Sequence, residues 1–133
     1  MTGCLSIVLL DDDAASRSTT RRWLCEHQEL DVVAACGTLE EALTAVHWHR
    51  PAVVVADYSP VGGHSGLGAA IRRLRAVGPD CLIVVYSGKP GRFMRELALK
   101  AGADEVLEKS ADRTQLRALV REAGLGQSSE VAR

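Results

Sequence analysis

The sequence predicts an α/β fold: a doubly wound sheet of five parallel strands in the order 2-1-3-4-5, with helices on both faces. Three observations predict it. Short, β-branched apolar runs recur around Ile7, Val32, Val53, Leu82 and Val106, roughly 25 residues apart, which is the spacing of strand–helix–strand units rather than of hairpins. The runs are mostly continuous rather than alternating, as in strands covered on both faces. The intervals between them carry apolar residues at steps of three and four, the signature of amphipathic helices. Right-handed crossovers leave few topologies, and this strand order is one of the two common ones.

The elements follow in order. Leu5-Ser6-Ile7-Val8-Leu9-Leu10 is the first strand, and residues 14–27 form a helix with Trp23 and Leu24 inward. Val32-Val33-Ala34-Ala35 is the second strand. Thr38-Leu39-Glu40-Glu41 is a capping box, in which the Thr oxygen takes a backbone N–H and Glu41 reaches back. The helix it opens sets Leu39, Ala42, Leu43 and Val46 on one face and stops near Pro51. Ala52-Val53-Val54-Val55-Ala56 is the third strand. Leu67, Ala70, Ile71, Leu74 and Val77 then form a helical stripe, ended by Gly78-Pro79. Cys81-Leu82-Ile83-Val84-Val85-Tyr86 is the fourth strand. Phe93, Leu97 and Lys100 indicate a helix after Pro90-Gly91, and Val106-Leu107 is the fifth strand. Asp112 with Gln115 caps a last helix holding Leu116, Leu119 and Val120 and ending at Gly124. Residues 1–125 read as one domain and 126–133 as a polar tail or the start of a linker.

Composition narrows the function classes. The 133 residues suit one domain with a full core, at 47% hydrophobic and 25% charged. Sixteen Lys and Arg against seventeen Asp and Glu leave a net charge of −1, which argues against nucleic acid or an anionic membrane as the main partner. No apolar run is long enough to span a bilayer, and no basic-then-apolar leader opens the chain. The cysteines at 4, 25, 36 and 81 form no Cys-x-x-Cys pair and read as reduced thiols of a cytoplasmic protein.

In a doubly wound sheet, ligands bind where the strands end, at the switch point of strand order. After the first run come Asp11, Asp12 and Asp13. Asp57 follows the third, leading into Tyr58-Ser59-Pro60. Ser87 and Gly88 follow the fourth, and Glu108 and Lys109 the fifth. Carboxylates crowded at one edge repel, so one protonates or the set recruits a cation. All-oxygen ligands suit Mg²⁺ or Mn²⁺. A carboxylate, a divalent cation, a hydroxyl and an ammonium together can stabilise a transferring phosphoryl group, with a carboxylate as nucleophile forming an acyl phosphate. Asp57, alone at its strand end, is the choice for that nucleophile. Each piece has a bland reading as well. An acidic run after a strand caps the next helix, a lone Asp or a Ser-Gly pair is turn chemistry, and a lone Lys is solvated. Their convergence on one edge is what points to a site. His47 and His49, two apart on a helix, make a poor metal pair, and His27 and His64 read as surface or loop residues.

Four motifs carry a resemblance. They are Ile7-Val8-Leu9-Leu10-Asp11-Asp12-Asp13, Val54-Val55-Ala56-Asp57, Val84-Val85-Tyr86-Ser87-Gly88 and Gly102-Ala103-Asp104-Glu105-Val106-Leu107-Glu108-Lys109. With them the sequence resembles the receiver domain of two-component response regulators, over residues 5–124. Gly62-Gly63-His64-Ser65-Gly66-Leu67 is similar to the subgroup that often precedes a helix-turn-helix effector. The resemblance implies a flavodoxin-like (βα)5 fold and a regulatory switch rather than an enzyme proper, with only weak intrinsic phosphorylation and dephosphorylation. It implies Asp57 as phosphoacceptor from a sensor histidine kinase and Asp12 as direct Mg²⁺ ligand beside Asp57. Asp11 then acts through water, and the backbone carbonyl of Ser59 is the third protein ligand. Ser87 supplies the hydroxyl that turns toward the phosphoryl group, and Lys109 the lysine that pairs with it. Partners implied are the kinase, an effector domain or downstream protein, and a second copy bound through the fourth helix, fifth strand and fifth helix after phosphorylation. Neither nucleic acid nor membrane is expected to be bound by this segment.

Three departures stand out. Val61 replaces a usual Pro, with Pro60 one position early. Ser110 replaces the Pro that often follows the lysine through a cis bond; a cis bond before Ser would cost about 2.5–4 kcal/mol, so a trans or strained bond is expected. Val106 stands where Tyr or Phe is frequent. The chemical set is intact, and the departures bear on switching. Two other readings compete: a degenerate receiver that docks a partner without phosphorylation, and a Mg²⁺-dependent phosphohydrolase. The latter normally has a second Asp two residues after the nucleophile, where this chain has Ser59.

Overall fold

The computed structural model describes residues 5–57, 65–88 and 90–109, together with Thr114, Ala118 and Glu122. Strands β1 (Leu5–Asp11), β2 (Leu30–Cys36), β3 (Val53–Asp57), β4 (Leu82–Ser87) and β5 (Glu105–Glu108) alternate with helices α1 (Ala14–Cys25), α2 (Leu39–His49), α3 (Ser65–Val77) and α4 (Arg92–Ala101). The strands form one parallel sheet in the order β2-β1-β3-β4-β5, as the sequence predicts.

Side chains of successive strand residues point to opposite faces, so continuous apolar strands supply two cores. Val8, Val54, Ile83, Val85 and Val106 pack with Val46 of α2, Leu67, Ile71 and Leu74 of α3, and Met94 of α4. Ile7, Leu9, Val53, Val55, Val84 and Tyr86 pack with Leu24 of α1 on the other side. Ile71 and Leu74 are fully buried, and each such side chain stabilises the fold by about 1.5–3 kcal/mol.

The helix ends have local causes. Thr38 and Glu41 form the expected capping box on α2. That helix closes at Arg50, which takes a left-handed conformation (φ 45°) because the following Pro51 disfavours the right-handed helical region. Helix α1 stops at Cys25, short of His27, since His27 bonds back only three residues, to the Leu24 carbonyl, and the last turn tightens. Trp23 is half-buried, its ring edge-on to His27 at 5.0 Å.

In α4 the inward face is Met94, Ala98 and Ala101. Leu97 lies half-buried, while Phe93 is 65% exposed, one position off the stripe that meets the sheet. Val77, the last residue of α3, ends its stripe partly exposed, at 37%. Thr114, Ala118 and Glu122 are helical and exposed, four residues apart. The expected cap at Asp112 and Gln115, the inward Leu116, Leu119 and Val120, the stop at Gly124 and the tail at 126–133 lie outside the described residues. Among the described residues no helix is long and apolar enough to cross a membrane.

Candidate functional site

Strand register assembles the site. Asp11 and Asp57, the last residues of β1 and β3, are direct neighbours across the ladder. Asp57 faces Tyr86 in β4, and Ser87 faces Glu108 in β5. Lys109 follows, its backbone N–H donating to the Ser87 carbonyl at 2.6 Å. Asp11, Asp57 and Ser87 are buried at this edge, exceptions among carboxylates and hydroxyls that normally seek water.

Among the described residues a side-chain donor reaches each Asp57 oxygen. The Lys109 ammonium forms an ion pair with Oδ1. The Ser16 hydroxyl donates to Oδ2 at 3.3 Å. The same hydroxyl accepts from Lys109 Nζ at 3.4 Å, and that ammonium sits 5.7 Å from the centre of the Tyr86 ring. Burial pushes the Asp57 carboxyl up to about 6; Lys109 opposes the rise and Asp11 adds to it.

The acidic run divides its labour. Asp13 caps α1, its carboxylate accepting from the Ser16 N–H at 2.8 Å. Asp12 is exposed. Asp11 turns inward: Oδ1 accepts from the Asp13 N–H at 3.0 Å, while Oδ2 is buried with no hydrogen-bond donor among the described residues. The Asp11 carbonyl is held by Arg17, whose Nη1 donates to it at 2.8 Å. Gly37 makes room for that guanidinium, because a Cβ there would lie 2.7 Å from Arg17 Nη1. Capping and site chemistry, alternatives for the run as a whole, therefore fall to different members of it.

The orphaned Asp11 oxygen is a test of fit for a cation. A buried carboxylate oxygen without a donor, beside a second buried carboxylate, is satisfied by a hard cation. Among the described residues no group of three or more His, Cys, Asp or Glu side chains gathers to hold a metal ion. A cation here would draw on few carboxylates and keep water, as Mg²⁺ does. The Ser87 hydroxyl is likewise buried and without a partner among the described residues.

Ser59, Val61 and Ser110 lie outside the described residues, as does His64. His47 and His49 are exposed on α2, away from this edge. Sequence reasoning missed Ser16 and the Tyr86 ring. The signal for Ser16 was the N-cap Asp13 three residues before it, which fixes the first turn of α1 against the strand end. Cys25, Cys36 and Cys81 are free thiols, and burial pushes Cys36 and Cys81 up, away from reactivity.

The response regulator receiver domain family matches residues 7–121. The oxygen regulatory protein NreC of Staphylococcus epidermidis is 31% identical over 117 residues, covering 88% of this chain and 53% of that protein. The chain thus spans about half the length of the curated relative it matches. Among solved structures, a LuxR-family two-component response regulator from Aurantimonas sp. SI85-9A1 superposes with a TM-score of 0.80 at 25% identity, covering 93% of this chain and 87% of that one. The REC domain of AraT, a response regulator from Geobacillus stearothermophilus, gives a TM-score of 0.75 at 26% identity, covering 95% and 97%. From the sheet order to the acidic edge between β1 and β3, and over nearly all of its length, the chain belongs to the response regulator receiver domains of two-component signalling.

Proposed function

We propose that this receiver accepts a phosphoryl group on Asp57 from a sensor histidine kinase, with Mg²⁺ or Mn²⁺ as cofactor. The observation that carries the reading is the buried Asp57 carboxylate, paired with Lys109 and set in register against Asp11, whose inner oxygen has no partner among the described residues. Asp11, Asp12, Asp57 and the Ser59 backbone carbonyl would hold the cation, which would supply positive charge against the carboxylates and the phosphoryl oxygens. An Asp57 oxygen forms the new bond to phosphorus as the donor's bond to phosphorus breaks, and the electron pair leaves with the donor. Asp57 attacks as the carboxylate and yields no proton. Lys109 follows the new negative charge, and the buried Ser87 hydroxyl gains an acceptor it lacks at rest.

The receiver then signals to an effector domain or a downstream protein, with a second copy binding through α4, β5 and the helix after β5. Its own turnover is confined to slow self-phosphorylation and self-dephosphorylation.

Incubation with acetyl phosphate and Mg²⁺, followed by intact-mass measurement, tests the reading. One phosphoryl group should appear in the native chain and none in Asp57→Asn or without Mg²⁺. An equal gain in Asp57→Asn would sink the assignment.

A further inference from the structure

We infer that Ser16 is a positioning residue for phosphoryl transfer, holding the Asp57 carboxylate and the Lys109 ammonium in one orientation through a single hydroxyl. The inference rests on the phosphoacceptor reading above. A hydroxyl has one proton and two lone pairs, so it can donate to a carboxylate and accept from an ammonium at once. Ser16 Oγ does both, at 3.3 Å to Asp57 Oδ2 and 3.4 Å from Lys109 Nζ. Together with the Lys109–Asp57 ion pair these contacts close a three-membered ring.

The hydroxyl is placed by a rigid element. Asp13 accepts the Ser16 N–H at 2.8 Å and starts α1, so the Ser16 backbone is fixed in the first turn. Lys109 is not fixed in that way. Its side chain is 32% exposed and borders a cavity of about 260 Å³ lined by Ser16, Thr19, Thr20 and Tyr86. A four-carbon stem beside open volume can swing away from Asp57. The Tyr86 ring, with its centre 5.7 Å from the ammonium, sits near the outer range of a cation–π contact and holds it weakly. The Ser16 hydroxyl is the cavity-side contact that keeps the ammonium over the carboxylate.

The transfer step asks nothing chemical of Ser16. The bond forms between an Asp57 oxygen and phosphorus, the donor's bond to phosphorus breaks (P–N in a phosphohistidine, P–O in acetyl phosphate), the electron pair leaves with the donor, and the Ser16 proton stays on Oγ. The residue contributes orientation, which governs how often the carboxylate and the ammonium are both in place when the donor arrives. Contacts of 3.3–3.4 Å are long for hydrogen bonds, as such contacts often are before a substrate is bound.

The experiment compares the native protein with Ser16→Ala and Ser16→Thr. Alanine is a strong helix former and leaves the α1 backbone intact; threonine keeps the hydroxyl. Rates of mass gain are measured against acetyl phosphate concentration at fixed Mg²⁺. Ser16→Ala should lower the saturating rate about tenfold, the effect of losing one hydrogen bond to a charged group, with little change in the donor concentration at half-saturation. Ser16→Thr should stay within about twofold of native, on the same reasoning. Metal-free, donor-free protein gives an independent readout: in Ser16→Ala the Lys109 ammonium protons should exchange with water faster in nitrogen-resolved NMR. Equal saturating rates in native and Ser16→Ala overturn the inference while leaving Asp57 as phosphoacceptor. So does a Ser16→Thr protein as slow as Ser16→Ala. If the native protein gains no phosphoryl group, the phosphoacceptor reading falls and the inference with it.

Discussion

Burial that pushes the Asp57 carboxyl up from 3.8 to about 6 makes stability depend on pH in a direction that can be worked out. Between those values the folded state holds a proton that the unfolded chain has lost. The Asp57 contribution is therefore greatest below about pH 4 and is lost as pH rises through about 6. Burial is the main cause, and the ion pair with Lys109 only partly offsets it. Asp57→Asn removes the buried charge and its repulsion with Asp11. In metal-free protein the variant should be more stable than native by on the order of 1–2 kcal/mol near pH 7 and no more stable near pH 4. Urea unfolding across that range checks it, and a constant difference between the two proteins would refute it. Asp57 itself was readable from its place after the third apolar run. Its raised proton affinity was not, because that depends on how deeply α1 and the neighbouring strands bury the strand end.

Arg75 joins elements rather than residues. It leaves α3 and donates to the carbonyls of Gly78 (3.2 Å), Pro79 (3.2 Å) and Cys81 (2.7 Å) at the entry to β4. It also donates to the Gly102 carbonyl through Nε and Nη2, and pairs with Asp104 at 2.6 Å. Asp104 in turn accepts the Ile83 N–H at 2.8 Å. Five donors in a rigid fork fit this set of acceptors, and the point charge of a lysine does not. Gly102 completes the arrangement with φ 124°, and a Cβ there would lie 3.3 Å from Arg75 Cβ and Cγ. Arg75→Ala should cost about 2–3 kcal/mol by leaving part-buried carbonyls unpaired, and Arg75→Lys should recover less than half of that. Denaturant midpoints give the comparison; a lysine variant as stable as native would show that charge alone suffices. The apolar stripe read for α3, through Leu67, Ala70, Ile71, Leu74 and Val77, leaves Arg75 unmarked. Its distant partners, Gly102 and Asp104, become neighbours only when α3 and the α4–β5 turn pack together.

Across the whole molecule, a switch needs an element with different contacts in its two states. Val106 in β5 is buried, stiff at χ1 and without a ring to swing, and its carbonyl accepts from Arg95 Nη1 at 2.8 Å, tying α4 to the strand. Ser87, at the end of β4, has a buried hydroxyl without a partner among the described residues and leads directly into Gly88. We therefore expect the signal to leave the pocket through the connection from β4 to α4. Amide hydrogen exchange with and without beryllofluoride, a phosphoryl mimic, should change between Gly88 and Arg95 and stay flat around Val106. Protection changing at Val106 alone would overturn this.

The parallel sheet, and the edge on which Asp11, Asp57, Ser87 and Lys109 meet, were legible in the sequence, which narrowed the strand order to one of the two common ones. Continuous apolar runs joined by helices leave little choice but a parallel sheet, and in a parallel sheet every strand ends on the same side. Its patterning also marked the capping box at Thr38 and the burial of Leu67, Ile71 and Leu74, since these depend on spacing within one element. Packing in three dimensions was needed to show that Asp13 caps a helix while Asp11 turns inward, that Phe93 faces solvent beside a buried Met94, and that Ser16 touches both Asp57 and Lys109. Those outcomes depend on how each helix is rotated over the sheet. That rotation is set by the fit of side chains far apart in the chain, which no local pattern encodes.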